Sequence, residues 1–230
     1  MRDMAGGMAM DAPVASMPDM LRVQAWTPVD AVLMFLMWVV MMVGMMVPSA
    51  APMTLLYASV ARQARAQGSP LAPTAVFVAG YLLMWAVFSA FATAAQWGLE
   101  RAALVSPAMV ATSPVLGAGL LVMAGIYQLT PFKGACLRHC RSPVHLLAER
   151  WREGARGALR MGLEHGAYCL GCCWALMALL FVGGVMNLLW VATIALFVLV
   201  EKLVPHGAAS GRVAGLGMVG IGAAMLALTA

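Results

Sequence analysis

All five cysteines of this 230-residue chain fall in two short runs, and three of its four histidines lie in or beside them. The first run is Cys136-Leu-Arg-His139-Cys140, followed by His145. The second is His165-Gly-Ala-Tyr-Cys169-Leu-Gly-Cys172-Cys173. Thiolates and imidazoles are the ligands of Zn(II), Cu(I) and iron–sulfur centres. One tetrahedral ion needs only four donors, so the set can serve two ions or a transfer path. The spacing is not that of a paired C-x-x-C zinc ribbon, and no C-x-x-C-H haem attachment is present. Cys169-Leu-Gly-Cys172 is a C-x-x-C, a pattern that also supports dithiol redox chemistry. Against both stands the use of cysteine as a small buried hydrophobe.

Helical spacing sorts the donors. Cys136, His139 and Cys140 stand at i, i+3 and i+4, and share a face if the preceding helix continues through them. His165, Cys169, Cys172 and Cys173 stand at i, i+4, i+7 and i+8, and share another. Cys136, Cys140, Cys169 and Cys172 are the first candidate ligands, followed by His139 and Cys173. His165 is a ligand or a hydrogen-bonded partner of one, with Glu164 placed to orient it. His145 and His206 read as loop residues.

Methionine adds a second soft donor, with 21 in the chain. Met34, Met37, Met41 and Met45 form one stripe of a helix, and Met42 and Met46 a row beside it. Thioethers favour Cu(I) over Zn(II), and Met41 and Met45 are the candidate ligands from this stripe. Met is equally a flexible core filler. The repeated Met-x-x-x-Met steps resemble the pore motif of high-affinity copper transporters in their chemistry alone. Copper is therefore the favoured ion, with zinc or an iron–sulfur centre as alternatives.

The elements that must position these donors are apolar helices. The chain is 63% hydrophobic and 10% charged, against about 25% charged for soluble domains. Uncharged runs longer than about 18 residues predict spanning helices. They fall at Ala31–Ala61, Pro73–Gly98, Val110–Thr130, about His165–Gly183, Leu188–Val204 and Val213–Ala230. The expected fold is an all-α, polytopic membrane bundle of about six helices. Its first span is expected to kink or break at Pro48 and Pro52. Residues 1–29 read as a Met-studded tail without a signal peptide, and residues 30–230 as one transmembrane domain. Residues 131–164 read as a cytoplasmic loop, with an amphipathic surface helix near 145–159.

Lys and Arg set the orientation. With the N-terminus outside, the cytoplasmic side receives eleven of the fourteen and the outside only Arg2, Arg22 and Arg101. The expected location is a bacterial inner membrane, where the thiols stay reduced on the cytoplasmic side. The pI near 9.2 then reports loop charges at a lipid surface, and a nucleic-acid partner is excluded. Lys133 reads as an interfacial anchor beside Tyr127.

Three segments carry a family resemblance: Met45-Met46-x-Pro48-Ser49-x-x-Pro52; Tyr127-Gln-Leu-Thr-Pro-x-Lys133 with Cys136, His139, Cys140, Ser142 and Pro143; and Gly171-Cys172-Cys173-Trp174. Across roughly residues 28–225 the chain resembles a bacterial family of uncharacterised integral membrane proteins described as metal-binding, a domain of unknown function. The resemblance implies a multi-span protein with a metal site at the cysteine and histidine motifs. It implies no substrate or reaction.

The leading functional expectation is a membrane protein that binds a soft metal for transport, delivery or sensing. The alternatives are a membrane thiol oxidoreductase, and an accessory subunit or homo-oligomer within a larger membrane complex. No H-E-x-x-H or G-x-S-x-G motif marks a hydrolase, and the chain reads as a binding protein rather than an enzyme.

Overall fold

A computed structural model of the chain describes residues 26–68, 73–106, 109–142, 152–205 and 207–229. The described residues are helical, with no strand beyond an isolated bridge between Val105 and Ala111. The all-α fold class is as expected.

Helix α1 spans Pro28–Ala66. A capping box starts it: Thr27 Oγ1 accepts from Asp30 N at 3.3 Å and Asp30 Oδ2 accepts from Thr27 N at 2.8 Å. Pro28 fills the first turn, where no N–H is needed. The expected break at Pro48 and Pro52 is corrected, because α1 runs through both without interruption. Each proline removes a backbone donor, and hydroxyl groups add bonds to neighbouring carbonyls in the same stretch. Ser49 Oγ donates to Met46 O at 2.9 Å, Thr54 Oγ1 to Ala50 O at 3.1 Å, and Tyr81 from the next helix to Met46 O at 3.2 Å. Proline is tolerated in spans on such terms.

Helix α2 covers Thr74–Arg101, α3 Pro114–Leu129 and α4 Pro131–Arg141. The third helix does not continue through Cys136 as a straight rod, because α3 and α4 meet at 65°. Thr130 stands between them in an extended conformation, as a residue before proline prefers. Its hydroxyl closes both helix ends, donating to Tyr127 O at 2.7 Å and accepting from Lys133 N at 3.3 Å. Helix α5 covers Gly154–Ala178, α6 Leu180–Gly183, α7 Leu188–Leu203 and α8 Gly207–Thr229.

The expected surface helix near 145–159 is also corrected in part. Residues 143–151 lie outside the described residues, but Gly154–Leu159 belong to α5 itself. Gly157, Ala158 and Met161 are buried there, so this turn faces protein.

Among the described residues α1, α2, α5 with α6, and α8 are each long and apolar enough to cross a membrane, and the bent α3–α4 pair together has the length and apolarity of a broken span or a re-entrant loop. The sixth expected span, α7, has 16 residues. At roughly 24 Å it falls short of the roughly 30 Å hydrocarbon layer. Large apolar side chains stand exposed around the bundle, including Val40, Phe91, Leu188, Leu189, Val213 and Leu228. A surface of that kind is compatible with a multi-pass membrane protein.

Glycine sets the closest approaches. A Cβ on Gly162 of α5 would lie 2.0 Å from Phe77 O, and one on Gly80 of α2 would lie 2.3 Å from Leu159 O. Gly125 and Gly215 bring α3 and α8 together in the same way. The small-residue face of α8 is thus used within the chain at Gly211, Gly215 and Gly222, as small residues are in membrane bundles.

Candidate metal centre

Helix α5 delivers four donors from one face. His165, Cys169, Cys172 and Cys173 are all buried, and α4 brings Cys140 against them. Cys140 Sγ and Cys172 Sγ are 4.0 Å apart. All five cysteines are free thiols. These groups lie inside the bundle, where the last turn of α4 meets the middle of α5, 32 residues further along the chain.

The helix itself holds two of the thiols. Cys172 Sγ donates to Cys169 O at 3.0 Å and Cys173 Sγ donates to the same carbonyl at 2.9 Å. Cys169 is held from other elements. Lys202 Nζ, at the end of α7, donates to Cys169 Sγ at 2.9 Å and to Ser49 Oγ of α1 at 3.1 Å. The Tyr81 hydroxyl of α2 lies 3.2 Å from Cys169 Sγ. Among the described residues no three His, Cys, Asp or Glu side chains already surround a single point as metal ligands do. The donors are gathered but still engaged with lysine, tyrosine and backbone.

The other expected donors are placed apart from this contact. Cys136 is buried against Gly171, where a Cβ would stand 2.9 Å from its sulfur. His139 bonds to Ala135 O through Nδ1 at 3.0 Å and stacks on Tyr168, with centroids 4.2 Å apart. His165 lies beside the rings of Phe77 and Tyr81, at 6.1 and 5.6 Å, and its buried Nδ1 has no hydrogen-bond partner among the described residues. Glu164 does not orient it, because that carboxylate faces Arg160 at 3.2 Å and Arg152 at 3.6 Å. Met41 and Met45 line an apolar groove of about 910 Å³ between α1 and α7, with Leu196 and Leu199 opposite. Met42 and Met46, from the neighbouring row, are fully buried. His145, His206 and the methionines of residues 1–25 lie outside the described residues.

The expectation for Lys133 is overturned. It does not snorkel to an interface; it is buried, and its ammonium bonds both oxygens of Glu201 at 2.7 Å. Lys202 likewise points inward. Lys202, Glu201, Tyr81 and Ser49 stand at or beside the thiols, and the cysteine and histidine spacing alone does not point to them. A usable signal was present in Glu201-Lys202, an ionisable pair closing an otherwise apolar run, since charge inside a span is functional by default.

Buried thiols on apolar helices are donors of the kind that soft cations prefer. Residues 35–225 match the family model PpoB2, described as a copper chaperone. That range covers most of the chain, which therefore belongs to this copper-chaperone family. No curated protein and no solved structure matches the chain.

Proposed function

We propose that the chain carries copper as Cu(I) inside the membrane and passes it to an acceptor, with Cys140 and Cys172 as the first pair of ligands. The observation that supports this most is the 4.0 Å approach of those two sulfurs from separate helices. Two thiolates bound at about 2.3 Å to a tetrahedral ion stand about 3.8 Å apart, so the pair needs little movement to grip one. Cys169 and Cys173 are the next donors, from the same turn of α5. Cys136, His139 and His165 form an outer set reached by rearrangement, and Met41 and Met45 offer thioethers along the α1–α7 groove. Copper is cargo in this reading, and the bilayer and the acceptor are the partners.

We further propose a single membrane unit over residues 30–230 in a bacterial inner membrane, with the Met-rich tail of residues 1–29 outside. Lys133 and Lys202 are buried and no longer count as loop charges. Removing these two from eleven leaves nine, and with α7 too short to cross, Arg212 joins the outer three, giving eight cations against four, a bias that still favours this orientation.

The test is metal stoichiometry on the reduced, detergent-solubilised full chain titrated with Cu(I). About one ion per chain is expected, with affinity falling at least about tenfold in Cys140→Ser and Cys172→Ser and holding within a few-fold in Cys136→Ser. Wild-type protein that retains no copper, or a Cys140→Ser/Cys172→Ser variant that binds as tightly, would overturn the reading.

A further inference from the structure

Lys202 is a charged side chain enclosed at the end of an apolar helix, in contact with a sulfur of the thiol cluster. We propose that Lys202 is a specificity-determining residue, a built-in positive charge that fits the site to a monovalent soft cation and rejects a divalent one. This inference rests on the copper-carrying reading and deepens it.

The argument is a count of formal charges in a place that tolerates little net charge. Lys133 and Glu201 neutralise each other through two 2.7 Å contacts. The other groups facing the thiols are neutral: the Ser49 hydroxyl, the Tyr81 hydroxyl and the backbone carbonyl of Cys169. What remains is Lys202, with its ammonium 2.9 Å from Cys169 Sγ. Metal binds to thiolates. With Cys140 and Cys172 as the two thiolates, and Cys169 and Cys173 kept as thiols, the one ammonium leaves a net single negative charge. A monovalent ion brings that sum to zero. A divalent ion leaves one uncompensated positive charge, which a low-dielectric interior penalises heavily.

The position of Lys202 suits the role. Ser49 and Cys169, on α1 and α5, hold the ammonium from two sides. It therefore acts at short range on any ion bound to the sulfurs without occupying the Cys140–Cys172 contact. Because it donates to Cys169 and not to that pair, it acts on the metal through charge and through the sulfur it positions. A lysine retained only to pack or to satisfy Ser49 has no reason to distinguish one cation from another.

The experiment uses the reduced full chain in detergent, loaded with Ag(I) and Zn(II) in competition. Ag(I) is a monovalent soft ion without redox chemistry, and bound metal is read by elemental analysis. Lys202→Met, Lys202→Gln and Lys202→Arg are compared with wild type. The Ag(I)-over-Zn(II) preference is expected to fall about 30-fold or more in Lys202→Met and Lys202→Gln, and to stay within a few-fold of wild type in Lys202→Arg. An unchanged preference, or equal loss of both metals, would overturn the proposal. Failure of both neutral variants to fold while Lys202→Arg folds would also overturn it, by assigning the residue to structure. Wild type that binds neither ion sinks the copper-carrying reading itself, a result separable from any change in preference.

Discussion

Lys133 and Glu201 close a buried ion pair across 68 residues of chain, with the ammonium centred on both carboxylate oxygens at 2.7 Å. The pair ties the first turn of α4 to the last turn of α7. Cys140 lies two turns further along α4, and Lys202 is the next residue on α7. The carboxylate also sits in a cradle on α8, where a Cβ at Gly211 would come within 2.0 Å of Glu201 Oε1. One contact therefore fixes the relative positions of a candidate ligand, the lysine beside the thiols and the last helix.

Breaking that pair from one side is expected to cost more than removing it. Lys133→Met leaves a buried carboxylate without its counter-charge, a loss of about 3–5 kcal/mol. Lys133→Met/Glu201→Leu removes both charges and is expected to recover most of that loss, because an apolar pair of similar volume replaces an ion pair at little net cost. Thermal unfolding of the three proteins in detergent checks this. A double variant no more stable than the single one would show that the charges hold the fold together.

The helices were legible in the sequence because lipid-facing helices must be apolar throughout. The start of α1 could be read from Thr27, Pro28 and Asp30. The thiol site was legible as residue types at helical spacing, but its geometry was not. Cys140 meets Cys172 only because α4 turns away from α3 at Thr130–Pro131, and no local pattern states which neighbour a turned helix will face. The inward course of Lys133 and Lys202 is hidden in the sequence for a related reason. A lysine near a span's end looks the same in sequence whether it reaches for headgroups or for polar groups on other helices; here Lys133 meets Glu201, 68 positions away, and Lys202 meets Ser49 and Cys169, 153 and 33 positions away. The short α7 was read as a full span because its hydropathy is high, whereas its final turn is covered by protein.

The glycines of α5 and α8 divide into those that touch backbone and those that do not. Gly162→Ala drives a methyl group to 2.0 Å from Phe77 O, a rigid atom of α2. The two helices must part, and with them Tyr81 and Cys169, whose side chains meet at 3.2 Å. Overpacking of this kind costs about 1–3 kcal/mol or more. Gly217→Ala and Gly220→Ala meet nothing within 4 Å and gain roughly 1 kcal/mol of helix propensity. The expected result is a lower melting temperature and weaker copper binding for Gly162→Ala, with equal or higher melting temperatures for the α8 variants. Equal behaviour of the three proteins would refute the close approach of α2 and α5.

Oxidation separates metal carriage from redox chemistry at the same sulfurs. The C-x-x-C pair singled out for a redox role is Cys169 and Cys172, yet Cys169 is engaged by Lys202 and Tyr81, at 2.9 and 3.2 Å. The sulfurs in direct contact belong to Cys140 and Cys172, at 4.0 Å. A disulfide requires about 2.05 Å, so that pair must close by about 2 Å, a shift the end of the short helix α4 can supply. A mild oxidant is therefore expected to join Cys140 to Cys172 before any other pair, as read by mass spectrometry of alkylated peptides. Closing the bond consumes the two proposed copper ligands, so the oxidised protein is expected to lose Cu(I) binding and to regain it on reduction. Preloading with Cu(I) should in turn protect both thiols from the oxidant, because a sulfur bound to metal is no longer free to attack its partner. A Cys169–Cys172 disulfide in the apo protein that leaves copper binding intact would favour the oxidoreductase reading instead.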